Sequence, residues 1–380
     1  MKVIFMTSNP FIEQQAIDMY VEAIASEYSI ELWDLSKIYN RLDKVSDQIE
    51  KVMKVNSVNE FENMVNNSLR DDMVVIITNI IIPQLAKLKI LFTKKKITII
   101  NINKEGLAAW LGDSGLAERL HGVPIQSRIK HKLKMNRWIR GVYNKVKFHG
   151  IKYDYLLSAY DFYPEQRKRF IRIHNIKYDE YLQAEKELPY VDKPYILFVD
   201  AAYVGHPMFS QSNQPLDENY YIGSLNRYFD KLEDTYHMPV IISSHPKAMY
   251  SDDTFNGRRI IKYKTPNLIK YANYIISHYS TSLVDAILLG KPMKIMFSQQ
   301  LLECATRYCV LMGCKFADLL KIDLVDLDNP SNNDFRIDKN AYDNFIYTYV
   351  LNSKKMDLNN KEIIMEFMHE LESNLSKKFR

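Results

Sequence analysis

Short, largely apolar runs return along this chain at helix-length intervals. In the first half they are Lys2–Met6, Ile30–Leu35, Met73–Thr78 (MVVIIT), Ile97–Ile102 (ITIINI) and Tyr153–Leu157. In the second half they are Tyr195–Val199 (YILFV), Val240–Ile242, Tyr274–Ile276 and Met293–Phe297. A strand with one wet face alternates apolar and polar residues; a strand that is apolar throughout must be covered on both faces. Between the runs lie helical periods at Phe11–Ser26, Asn219–His237 and Leu283–Leu289, the last closed by Gly290 and Pro292. The pattern predicts an α/β chain whose sheets are parallel and carry helices on both sides.

The alternation runs twice. Between the two series Glu185–Pro194 is polar and carries Pro189 and Pro194, the composition of a linker. At roughly 100–200 residues per domain, 380 residues fit two domains or three. The expected division is 1–188, then 189–350, then a C-terminal segment 351–380 whose helical stretch Asn360–Lys377 packs back on a domain. Two open parallel sheets are expected to face a cleft, with ligands at the carboxyl ends of the strands.

Glycine narrows the function. The chain has 11 glycines, about 3% against an ordinary ~7%. It contains no G-x-G-x-x-G and no G-x-x-x-x-G-K, which argues against a glycine-loop dinucleotide enzyme and a P-loop NTPase. Phosphate binding at a helix start needs no such run. The nine histidines include no H-E-x-x-H, so no metal is expected. Cys304, Cys309 and Cys314, five apart, read as reduced, partly buried thiols. A net charge of +5 names no partner. No run reaches the roughly 18–20 apolar residues of a membrane span, and the opening run is too short for a signal peptide, so a cytoplasmic location is expected.

Three loops of the second half follow apolar strands and should open on one side. Asp200 follows YILFV and leads to Gly205-His206-Pro207; His245-Pro246-Lys247 follows VIISS; Ser280-Thr281-Ser282 follows YIISHY, directly before a helix. Hydroxyls at a helix start lie beside unpaired N–H groups where the dipole favours an anion, although the same residues also serve as plain N-caps. His245 can donate to a leaving phosphate, and Lys247 adds a cation; a His-Pro pair is equally a simple turn. Asp200 is a helix cap, a general base or a nucleophile on sequence grounds alone. Either catalytic role requires that its removal abolish turnover and spare nucleotide binding.

His245-Pro246, followed by H-x-S-T-S-x-x-x-A-x-x-x-G-K-P from His278 to Pro292, resembles the second domain of bacterial surface-polysaccharide glycosyltransferases with HP and Ser/Thr-Ser motifs, the sialyl- and Kdo-transferase type. The resemblance covers about Tyr195–Phe297. It implies a GT-B fold of two Rossmann-like domains and a CMP-activated sialic-acid-like or Kdo donor. It also implies a glycan or glycolipid acceptor of the capsule or lipopolysaccharide kind. No cofactor or metal is implied beyond the donor itself. By this resemblance Asp200 and His245 are catalytic, and Lys247, His278, Ser280, Thr281, Ser282 and Asp285 hold the donor. A related pattern has Glu where this chain has Asp285. The similar polyol-phosphate transferases of teichoic-acid synthesis leave a CDP-polyol donor open. A two-domain binding protein without chemistry is a third reading.

Arg128–Lys147 carries eight Lys or Arg and no Asp or Glu, interleaved with Leu133, Trp138, Ile139, Val142 and Tyr143. Such a segment fits an anionic inner-membrane surface, an anionic glycan, or a solvated helix face. No nucleic-acid motif accompanies it, and nucleic acid is not an expected partner. Asp326-Leu327-Asp328, Asp71-Asp72 and Asp252-Asp253 read as loop and turn acids.

Overall fold

In a computed structural model of the chain, the described residues are 1–38, 49, 51–68, 73–78, 92, 97–103, 152–162, 164, 167–204, 215–246, 248–304, 306–330 and 334–378. The basic segment Arg128–Lys147, Lys247, Gly205-His206-Pro207 and Asp71-Asp72 lie outside them.

The described residues form two units. The first holds those up to His174 and again those from Asn352; the second runs from Asn175 to Leu351. Helix Ile176–Ala184, which precedes the Pro-bearing linker, therefore belongs to the second unit.

The first unit carries a seven-stranded sheet of β1 (Lys2–Thr7), β2 (Ser29–Asp34), β3 (Val52–Lys54), β4 (Met73–Thr78), β5 (Thr98–Ile102), β6 (Tyr153–Ser158) and β7 (Arg167–Arg172). Their order is β3-β2-β1-β4-β5-β6-β7, and every pairing is parallel. Alternate residues of one strand enter different cores. Val3 and Phe5 pack with Val74, Ile76 and Ile100 on one face, where Ile363, Ile364, Phe367, Met368 and Leu371 of the C-terminal helix Asn360–Lys378 cover them. Ile4 and Met6 pack with Val75, Ile77, Trp33 and Phe61 on the other. This double coverage is why the runs are apolar without alternation.

The second unit carries six parallel strands, β8 (Ile196–Val199), β9 (Val240–Ser244), β10 (Ile260–Lys262), β11 (Tyr274–Ser277), β12 (Met293–Phe297) and β13 (Leu324–Asp326), in the order β10-β9-β8-β11-β12-β13. In both sheets the chain starts in the middle, winds to one edge, then returns to the other side of its first strand. Each unit is thus doubly wound and Rossmann-like, the kind of domain of which a GT-B fold has two. The reversal lies between β1 and β4 in one sheet and between β8 and β11 in the other, and crevices at such reversals are where ligands bind. No described helix is long and apolar enough to cross a membrane.

The chain's exit from the first unit and its return meet at His174, which is fully buried. Its Nδ1 accepts the Asn352 N–H at 3.0 Å, and its Nε2 lies 3.1 and 2.9 Å from the carbonyl oxygens of Lys355 and Leu358. Carbonyls only accept, so the ring is neutral with its proton on Nε2. Asn360 completes the tie: its Oδ1 accepts the His174 N–H at 2.7 Å and its Nδ2 donates to the His174 carbonyl at 3.1 Å.

Helix Arg307–Leu320 lies against the end of β11 at Gly313. A Cβ there would meet the His278 carbonyl oxygen at 3.0 Å and Ile295 Cγ2 at 3.1 Å. Glycine in a helix interior costs about 1 kcal/mol relative to alanine, and this close approach explains its use. Gly313→Val is expected to destabilise the protein by about 1–3 kcal/mol, read by chemical denaturation. A variant as stable as the parent would show that the helix does not depend on this contact.

Candidate functional site

Three strand ends are adjacent in the second sheet: β9, β8 and β11. At the reversal, Ser277 Oγ donates to the Val199 carbonyl at 2.7 Å and ties β11 to β8 below the loops. Asp200 follows β8 and is 4% exposed. Its Oδ1 accepts the Ala202 N–H at 2.8 Å and the Tyr250 hydroxyl at 3.1 Å, while its Oδ2 accepts the His245 N–H at 3.2 Å. Burial raises its pKa, while these bonds and the Lys262 ammonium act the other way. The carboxylate stitches the loop after β8, where Ala202 takes a left-handed φ of 53°, to the His-Pro turn after β9.

His245 is held by its backbone. Its N–H goes to Asp200 and its carbonyl accepts the Ala248 N–H at 2.9 Å, closing the turn through Pro246. The side chain is half-buried. Below it, Ser243 and Ser244 are buried, and Ser243 Oγ meets Thr265 Oγ1 at 2.8 Å.

After β11, Ser280 and Ser282 are half-buried and Thr281 is exposed. The Ser282 N–H donates to Ser280 Oγ at 3.3 Å. The helix that follows, Leu283–Leu288, has six residues, and no side chain caps its first turn. Ser280 Oγ is thus engaged with the backbone at the helix start, the Ser282 hydroxyl makes no cap bond, and so short a helix brings little dipole of its own.

Two sequence candidates prove to be interior. His278 is fully buried. Its Nδ1 donates to the Met296 carbonyl at 2.8 Å, which leaves Nε2 to accept the Tyr221 hydroxyl at 2.9 Å. Burial lowers its pKa to about 4, so the ring is neutral, packed against Tyr203 with ring centroids 4.8 Å apart. With both nitrogens bound inside the domain, His278 organises the core under the site and does not offer a nitrogen to a donor. Asp285 is 1% exposed. Neither of its oxygens has a hydrogen-bond partner among the described residues, and burial pushes its pKa up to about 8. As placed, it presents no oxygen to a ligand at the surface.

Sequence reasoning missed Tyr250 and Tyr221, the two phenols that hold Asp200 and His278. Tyr221 lies within the amphipathic period of helix Glu218–Tyr236, and no spacing signal sets it apart from core packing. Asp326-Leu327-Asp328 is a clip: Asp328 accepts the Tyr220 hydroxyl at 2.9 Å and the Gln299 N–H at 3.0 Å, and Asp326 accepts the Asp328 N–H at 3.0 Å. Cys304 and Cys314 are buried and Cys309 is half-buried; all three are free. Among the described residues no three His, Cys, Asp or Glu side chains are grouped to hold a metal ion.

No family model and no curated protein matches this chain. Among solved structures it is similar to the spinosyn forosaminyltransferase SpnP, at 10% identity over 98% of this chain and 99% of that one, with a TM-score of 0.46. It is similar to the UDP-GlcNAc 2-epimerase of Methanocaldococcus jannaschii, at 14% identity over 97% and 100%, TM-score 0.48. It is also similar to UGT2 of Phytolacca americana, crystallised with UDP-2-fluoroglucose and pterostilbene, at 9% identity over 99% and 100%, TM-score 0.47. With identities this low and TM-scores below 0.5, the chemistry of those proteins does not transfer to this chain.

Proposed function

We propose that this protein is a glycosyltransferase of GT-B type. Its second domain takes a nucleotide-activated sugar at the carboxyl ends of β9, β8 and β11, and its first domain takes a bacterial surface glycan. The observation that carries the reading is the tether from Asp200 Oδ2 to the His245 N–H, which fixes the backbone of the His-Pro turn, with its half-buried His245, beside the strand reversal. The HP turn follows β9 and the Ser/Thr-Ser loop follows β11, the two strands that flank β8 in the sheet.

In this reading His245 donates to the leaving phosphate, while Ser280, Thr281 and Ser282 supply further hydrogen bonds to it. Lys247 adds a cation. Asp200 acts through His245 as a positioning residue. Asp200 is 4% exposed and spends three of its roughly four lone-pair directions on the two loops, so this reading gives deprotonation of the acceptor hydroxyl to another group and expects no glycosyl adduct at position 200. The donor is CMP-linked, as the motif pair implies.

Turnover with a panel of CMP-, CDP- and UDP-linked donors and a surface-glycan acceptor tests this. The expected result is release of CMP from a CMP-sugar. Consumption of a CDP-polyol would make the protein a polyol-phosphate transferase. Nucleotide binding with no turnover for any donor would make it a binding protein.

A further inference from the structure

Asp285 sits one helical turn beyond Ser282, on the helix Leu283–Leu288, and the site described above does not use it. It is 1% exposed with neither oxygen hydrogen-bonded among the described residues, an arrangement that costs free energy and calls for a reason. Among the described elements, three pack most closely on its helix. The first is Ile176–Ala184, the opening helix of the second unit; the others are Thr265–Tyr271 and the π-helical turn Ile346–Val350.

Two charges from these elements act on Asp285, and both belong to Ile176–Ala184: Lys177 and Glu180. They pair with each other, Lys177 Nζ to Glu180 Oε2 at 2.5 Å, with the two side chains 18% and 31% exposed. Among the other groups, Lys270 Nζ is taken by the carbonyls of Ala184, Glu185 and Glu187, and the Tyr271 hydroxyl by that of Glu187. Asp179, Tyr178 and Tyr181 on the first helix, and Tyr347 and Tyr349 on the π turn, exert no resolved effect on Asp285. One cation, paired with Glu180, also acts electrostatically on Asp285 across the packed helices, and it can neutralise one carboxylate at a time.

We propose that Asp285, Lys177 and Glu180 form a partner-exchange switch. While Asp285 holds its proton, Lys177 pairs with Glu180 along its own helix. When Asp285 gives its proton to solvent, Lys177 crosses to the buried carboxylate and Glu180 is released to water. The exchange links the opening helix of the second unit to the helix that begins at Ser280–Ser282. It does not depend on what that loop binds.

The pH window follows from burial. The folded protein keeps a proton on Asp285 up to about pH 8, while an unfolded aspartate has given it up near pH 4. The native state thus binds more protons between those values, and this group makes stability fall as pH rises through the window, then level off.

The test is the thermal midpoint of the whole chain at pH 6 and at pH 9 for K177M, E180Q, D285N and their pairs. At pH 6, K177M should lower the midpoint by roughly 1–3 °C, and this loss should vanish when E180Q is already present. At pH 9 the same loss should persist in the E180Q background, whereas with D285N, whose neutral Asn stands for the protonated acid, the loss should again vanish once E180Q is present, as at pH 6. A K177M effect that depends on Glu180 equally at both pH values overturns the exchange. If D285N does not fold, the K177M and E180Q pair still decides, because both positions are partly exposed.

Discussion

Asp200→Ala is expected to destabilise the second domain by about 3–4 kcal/mol and to take donor affinity down with it. The carboxylate is 4% exposed and satisfies three donors: the N–H groups of Ala202 and His245 and the hydroxyl of Tyr250. Alanine leaves all three without an acceptor, and each buried donor left unpaired costs about 1–3 kcal/mol, part of which water entering the gap recovers. Ala202 at its left-handed φ loses the bond that holds it there. Asp200→Asn keeps one acceptor oxygen and should fall between parent and alanine. A base or nucleophile would behave differently, losing turnover while nucleotide affinity and stability stayed put. Chemical denaturation and calorimetry with CMP on the same variants separate these outcomes. Unchanged affinity and stability with lost turnover would return Asp200 to a catalytic role.

The first domain contains the same arrangement in a residue that no functional signal marks. Asp34 ends β2; its Oδ1 accepts the N–H two residues on, at Ser36, at 2.8 Å. Its Oδ2 accepts the Phe11 N–H, in the loop after the neighbouring strand β1, at 3.0 Å. Asp200 does likewise with Ala202 and with His245 after neighbouring β9. A strand-end aspartate that clamps the next loop is thus a device this chain uses twice, and that favours the positioning role.

His245→Ala is expected to cost about 10²–10⁴ in kcat/KM, the range for a side chain that protonates or hydrogen-bonds a leaving group. Stability should change by well under 1 kcal/mol. The turn is held by the His245 N–H on Asp200 and the His245 carbonyl on the Ala248 N–H, and alanine keeps both. His245→Ala and Asp200→Ala therefore separate what the imidazole does from what holds it. A loss below threefold with the CMP-sugar that the parent turns over would remove His245 from the mechanism.

Burial on both faces decided what was legible in the sequence. The strands read from apolar runs, β1, β2, β4, β5, β6, β8, β9, β11 and β12, all lie inside their sheets. The four that went unread, β3, β7, β10 and β13, are the edges. Three of them have three residues each, and β7 reads RKRFIR. An edge strand keeps one side in water and carries charge to discourage further pairing, so it has no apolar run to find. Phe11–Ser26 reads as one helix, yet Tyr20 takes a φ of 57° and splits it into Glu13–Asp18 and Val21–Ala25. The Tyr20 hydroxyl accepts Asn360 Nδ2 at 2.9 Å, a partner that local propensity cannot anticipate.

At the candidate site the sequence determined which residues lie on one edge of the sheet, because in a parallel sheet every loop that follows a strand leaves from the carboxyl end, whatever the strand order. That put Asp200, His245 and Ser280–Ser282 together. Only the tertiary structure decided which of their neighbours face inward. His278 and Asp285 lie in the same motif as Thr281, but helices Glu218–Tyr236 and Ile176–Ala184 cover them and leave Thr281 open. A motif fixes chemistry and spacing along one loop, whereas exposure depends on residues up to about a hundred positions away, here Tyr221 and Lys177, that no local pattern ties to it.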